Sequence, residues 1–74
     1  MKAFVEISTE SDNEEAVVKE IEKMKEIESV TTIPYRFNII ARLHDESFSH
    51  LNVILEIING LDGVRESRPV MVPI

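Results

Sequence analysis

Hydrophobic and polar positions change period four times along this chain, and each change marks an element. In Met1 to Ile7, MKAFVEI, Ala3, Val5 and Ile7 fall on one face and Lys2, Phe4 and Glu6 on the other, the alternation of a half-buried strand. The period then lengthens: Val17, Val18, Ile21 and Met24 recur at helical spacing, and Ser11 followed by Glu14 matches a capping box, so a first helix is predicted from about Asp12 to about Lys25. Early acids and late lysines suit the helix dipole, and pairs such as Glu15 with Lys19 suit a solvated face.

Val30 to Ile33 and Phe37 to Leu43 are β-branched or apolar runs, joined by Pro34, Tyr35 and Arg36, which predicts an antiparallel pair of strands. The link is unusual, because a tight hairpin ordinarily turns on Gly, Asn or Asp. A second helix is signalled by Ser47, by Phe48, Leu51, Ile54, Leu55 and Ile58 on one stripe, and by Asn59-Gly60 at its end. Val64 to Val72 supplies a last strand, with Pro69 placing it at an edge or a bend.

The order is therefore βαββαβ, two right-handed βαβ units joined by a hairpin. That is an α+β, ferredoxin-like sandwich: a four-stranded antiparallel sheet with both helices on one face. The other face is left open. On this phasing it carries Phe4, Ile33, Ile40 and Met71, too apolar for water alone, and a second copy packing sheet to sheet covers it.

Composition sharpens this. A 74-residue chain buries a limited share of its surface, and without cysteine it has neither disulfides nor thiolate-held metal to compensate, which leaves oligomerisation. The net charge is −6, from 14 acidic and 8 basic residues, and repels phosphate backbones, so direct nucleic-acid binding is not expected. No leader-like or membrane-length apolar run occurs. A cytoplasmic protein is the expectation.

No P-loop, zinc spacing, dinucleotide turn or nucleophile elbow is present, and neither a cofactor nor a metal is expected. His44 and His50, beside Asp45 and Glu46, are read as a polar connection and a solvated helix position rather than a metal or acid–base pair. What remains is a group of polar residues on the hairpin and last strand, Tyr35, Arg36, Asn38, Arg42, Arg65, Ser67 and Arg68, whose arginine forks and amide suit a small carboxylate. The same residues also suit surface ion pairs and hairpin hydrogen bonds.

The opening AFVEI, the acidic helix, IESVTTIPYRFNIIARL and INGLDGVRESRPVMV together resemble the carboxy-terminal effector-binding (RAM) domain of Lrp/AsnC-type transcription regulators in stand-alone form, over all of residues 1–74. The resemblance implies sheet-paired dimers assembling into octamers or related rings. It also implies an amino-acid or related effector bound near the turn after strand two and near strand four. The family's turn glycine falls on Tyr35, its turn aromatic on Phe37 and its turn aspartate on Asn38, and its two strand-four threonines on Ser67 and Pro69. With Arg36 and Arg68 these give a ligand site of Tyr35, Arg36, Phe37, Asn38, Ser67 and Arg68. No helix-turn-helix precedes the first strand, so no DNA-binding domain is expected. The function implied is a non-catalytic regulatory module that modulates full-length Lrp/AsnC-type regulators. Three readings stand beside it: an amino-acid sensor of the ACT type, a small enzyme of the dimeric α/β-barrel type, and a ligand-free oligomeric scaffold.

Overall fold

The computed structural model describes residues 2–73; Met1, the first residue of the expected strand, lies outside them. The elements are β1 (Lys2–Thr9), α1 (Glu14–Glu22), β2 (Ile27–Thr32), β3 (Ile39–Leu43), a 3-10 helix (Asp45–His50), α2 (Leu51–Asn59) and β4 (Val64–Val72). All pairings are antiparallel, in the order β2-β3-β1-β4. The ferredoxin-like βαββαβ sandwich is the fold.

Its core lies between sheet and helices. Val5, Ile7, Ile39, Ala41 and Leu43 from the central strands meet Val17 and Ile21 of α1 and Ile54 and Ile58 of α2, all essentially excluded from water. Burying such a side chain contributes about 1.5–3 kcal/mol. β1 and β3 occupy the middle because their alternation is the cleanest in the chain, BiBiB in β3, whereas β2 and β4 form the edges. Pro69 sits in edge strand β4 opposite Val5, where its missing N–H need not meet another strand.

Several boundaries differ from the sequence reading. Ser11 does not cap α1; the N-cap is Asn13, without a side-chain cap hydrogen bond, because Asp12 takes a left-handed turn (φ 68°) that delays the helix. Lys23 and Met24 then donate back only three residues, to Glu20 and Ile21, so the helix tightens and ends before Lys25. β2 begins at Ile27, its polar start Glu28 and Ser29 being carried by an irregularity in register against β3. The second helix opens as the 3-10 segment. Gly60 closes α2 with a right-handed φ of −84°; the glycine that needs positive φ is Gly63, at 91°.

The open face differs from the expectation at two positions. Ile33 lies beyond the end of β2 and lines a separate hollow with Glu14. Met71 pairs with Ala3 and so points toward the helices, while Val70, paired with Phe4, takes its place on the open side. Phe4, Ile40 and Val70 share a hollow there with Glu6. No helix among the described residues is long and apolar enough to cross a membrane.

Candidate functional site

Where β3 begins, the hairpin, the end of β1 and the start of β4 form one corner. Ile33 N–H bonds the Asn38 carbonyl at 2.9 Å, closing a loop whose tip, Pro34 to Arg36, is exposed. Tyr35 is 73% exposed and reaches none of the corner's hydrogen bonds. Phe37 does the reverse. It leaves the ladder before β3 and is 8% exposed, outside the main core cluster.

Two guanidinium groups cover Phe37. The Cζ of Arg68 lies 4.0 Å from the ring centre and that of Arg36 lies 5.4 Å away, within range of cation–π attraction. Each cation also has a carboxylate. Arg68 Nε donates to Glu6 Oε1 at 2.7 Å, Glu6 and Arg68 being cross-strand partners, and Arg36 Nη2 donates to Glu66 Oε1. The arginines therefore hold Phe37 down while their charge is balanced within the chain.

Asn38 is equally committed. Its Oδ1 accepts the Thr9 N–H at 3.1 Å, and its Nδ2 donates to Thr9 Oγ1 at 2.8 Å and Glu14 Oε2 at 2.7 Å. One amide thus ties β3, β1 and the first turn of α1 together, a larger task than capping a hairpin. Glu14 is engaged here rather than in the expected capping box. The hollow next to it is lined by Glu14, Thr32, Ile33 and Pro34.

Of the six expected residues, Arg36, Phe37 and Arg68 form one stack and Asn38 borders it. Ser67 does not join them: it alternates to the helix side, opposite Ile7, and its hydroxyl donates to Asn59 Oδ1 at 2.8 Å. Glu6, Glu66, Thr9 and Glu14 complete the corner as partners. Glu6 and Arg68 become partners only in the observed register, which places both on the open face.

Arg42 and the histidines lie elsewhere. Arg42 Nε stands 2.8 Å from Glu28 Oε2 but is not aligned for a hydrogen bond, so the contact is ionic. His44 Nδ1 is 3.8 Å from the same carboxylate, and His50 lines a separate hollow by the 3-10 helix. Among the described residues no group of three His, Cys, Asp or Glu side chains converges as a metal site.

The model of the Lrp/AsnC ligand binding domain matches residues 2–72. No curated protein matches the chain. Among solved structures, FFRP-DM1 superposes with a TM-score of 0.84 at 16% identity, covering 97% of both chains. The hypothetical protein PHS023 of Pyrococcus horikoshii gives 0.81 at 16% identity, over 99% of this chain and 89% of that one. TTHA0845 of Thermus thermophilus gives 0.78 at 19% identity, over 96% and 90%. At such identities these structures speak to the fold.

Proposed function

The chain belongs to the Lrp/AsnC ligand binding domain family, and on that premise we propose that it is a non-catalytic cytoplasmic regulatory module. It pairs through its open sheet face, takes an amino acid or related small metabolite at the hairpin corner, and acts by co-assembling with full-length Lrp/AsnC-type regulators.

The observation that carries the reading is the open face itself. Phe4, Ile40 and Val70 line an apolar hollow at its centre, and the charges around it are already matched, Arg68 with Glu6, Arg36 with Glu66 and Arg42 with Glu28. Including Lys2, that is four cations against three carboxylates on or beside this face, so the rest of the chain carries more than the whole net charge of −6. The sheet is the face on which a second acidic copy meets least repulsion.

A ligand-free scaffold remains the second reading, favoured by one observation: the polar groups of Arg36, Asn38, Ser67 and Arg68 all have partners inside the chain. Two measurements on the purified protein test these readings. Sedimentation equilibrium should return a dimer or larger species; a stable monomer at tens of micromolar overturns the pairing. Unfolding temperature across the amino acids and their close metabolites should rise with one class, since a ligand at a hundredfold excess over Kd adds about 2.7 kcal/mol to the folded state. No rise with any class favours the scaffold.

A further inference from the structure

The helix side of the sheet carries a seam. α1 rests on β2 and β3, and α2 rests on β4, and a hollow opens at each end of the line between the two helices. One, of about 370 Å³, lies between the segment after α1 and the start of α2, with Lys25, Glu26, Glu46 and Val53 in its walls. The other, of about 390 Å³, has Ala16 and Glu20 of α1 on one wall and Gly60 and Asp62 on the other. Between the hollows runs an apolar ridge. Val53, Ile57 and Leu61 recur at every fourth position, Gly60 and Leu61 prolonging the turn through bonds back to Ile57 and Ile58. Val53 is 54% and Ile57 46% exposed, whereas Ile54 and Ile58, one position on, are buried.

Shape and charge select what fits there. Ala16 and Gly60 are small, so another helix can bring its backbone close and lay its own ridge between α1 and α2. Glu20 is taken by Lys23 at 2.7 Å, which leaves Glu26, Glu46 and Asp62 against Lys25 along the two hollows. Glu56 lies exposed beside Ile57, and α2 itself contains neither Lys nor Arg. Such a rim repels phosphate, anionic lipid and the same acidic face of a second copy. An apolar stripe flanked by cations is its complement.

We propose that the seam between α1 and α2 docks a cationic amphipathic helix of another protein. The apolar stripe of that helix lies on Val53, Ile57 and Leu61, and its Lys or Arg side chains meet Glu26, Glu46 and Asp62. The ridge from Val53 to Leu61 is about 12 Å long, so with a hollow beyond each end it takes about three helical turns. The seam lies on the opposite side of the sheet from Phe4, Ile40 and Val70, so docking requires neither sheet pairing nor an effector at the hairpin corner.

Fluorescence anisotropy tests it, with the full chain and a labelled synthetic peptide of about 14 residues that has leucine at helical spacing and lysine elsewhere. The control peptide has the same composition with the leucines moved out of helical spacing. The helically spaced peptide should bind at least about tenfold tighter than the control. Val53→Asn with Ile57→Asn, and separately Glu46→Lys with Asp62→Lys, should each weaken it at least about tenfold. Glu15→Lys with Glu22→Lys makes the same change of charge at exposed positions that line neither hollow and should stay within about threefold of wild type. Equal affinity for the two peptides overturns the proposal, as do seam variants that bind like wild type or a Glu15–Glu22 pair that weakens binding as much as the seam pair. Sedimentation velocity and vesicle pelleting complete the test. A change in the protein's own mass on Val53→Asn with Ile57→Asn would make the occupant a second copy, and pelleting with phosphatidylglycerol vesicles would make it a membrane; either result overturns the docked helix.

Discussion

Arg68 lies over the face of Phe37, with 4.0 Å between guanidinium carbon and ring centre, and the same side chain bonds Glu6 across the strands. Phe37 is thus sealed from water by a cation rather than by other apolar groups. Removing the ring in Phe37→Ala should cost about 3 kcal/mol, the low end for a buried aromatic, because the site is peripheral to the main core. Arg68→Ala should cost about 1–1.5 kcal/mol, a half-exposed cation–π contact plus one ion pair. Arg68→Lys keeps the charge but loses the plane and should fall between wild type and alanine. Chemical denaturation at constant m-value measures all three.

Asn38 provides a sharper contrast. Asn38→Asp introduces the aspartate that the family resemblance places at this turn, yet here Nδ2 donates to Glu14 Oε2 at 2.7 Å and to Thr9 Oγ1 at 2.8 Å. Aspartate supplies no such donor at neutral pH and sets a negative charge against Glu14. The variant should lose about 2–3 kcal/mol and be less stable than Asn38→Ala. In the Glu14→Gln background the two substitutions at Asn38 should become nearly equal, as thermal melts of the four variants would show.

Alternation and helical spacing made the fold legible, since Val5, Ile7, Ile39 and Ala41 can be buried together in only one register. The misassigned Met71 shows the limit. Pairing with β1 runs in step across Pro69, but Arg65 is skipped between Ser8–Glu66 and Thr9–Val64, so a strict alternation counted from Val64 is off by one, and one residue exchanges the two faces. Likewise the partners of Arg36 and Asn38 lie 30 and 24 residues away at Glu66 and Glu14, a proximity set by sheet order rather than by local pattern. The resemblance groups Ser67 with the corner by placing a strand-four threonine there, but neighbours in a strand face opposite ways, and Ser67 points away from Arg68 toward Asn59.

Gly63 has a backbone reason and a steric one. Its φ is 91°, and a Cβ built there would lie 2.5 Å from Asn13 Cβ. Its carbonyl also accepts the Glu10 N–H at 2.8 Å, so a shift of this turn is felt at the end of β1. Gly63→Ala should destabilise by about 2–3 kcal/mol, lowering Tm by roughly 8–24 °C for a domain of this size. In the Asn13→Gly background the steric part disappears and the conformational part of about 1 kcal/mol stays. A double-mutant cycle by calorimetry separates the two, and equal costs in both backgrounds would show that crowding by Asn13 contributes nothing.

Ile39 and Ile40 are adjacent in β3 and face opposite ways: Ile39 is fully buried beneath the helices, opposite Ile7, while Ile40 lies opposite Glu6 beside the open-face hollow. Their substitutions should therefore fail differently. Ile39→Ala removes core packing and should cost about 2–5 kcal/mol, with the mass of the folded species unchanged at concentrations that saturate assembly. Ile40→Glu leaves that core intact but places a carboxylate beside Glu6 on the face assigned to pairing, where burying it without a partner is costly. It should yield folded monomers whose melting temperature no longer depends on protein concentration, whereas the wild-type value should rise with concentration because association is linked to folding. Light scattering and melting curves at several concentrations distinguish the two, and an Ile40→Glu protein that still sediments with the wild-type mass would remove the open face from the assembly.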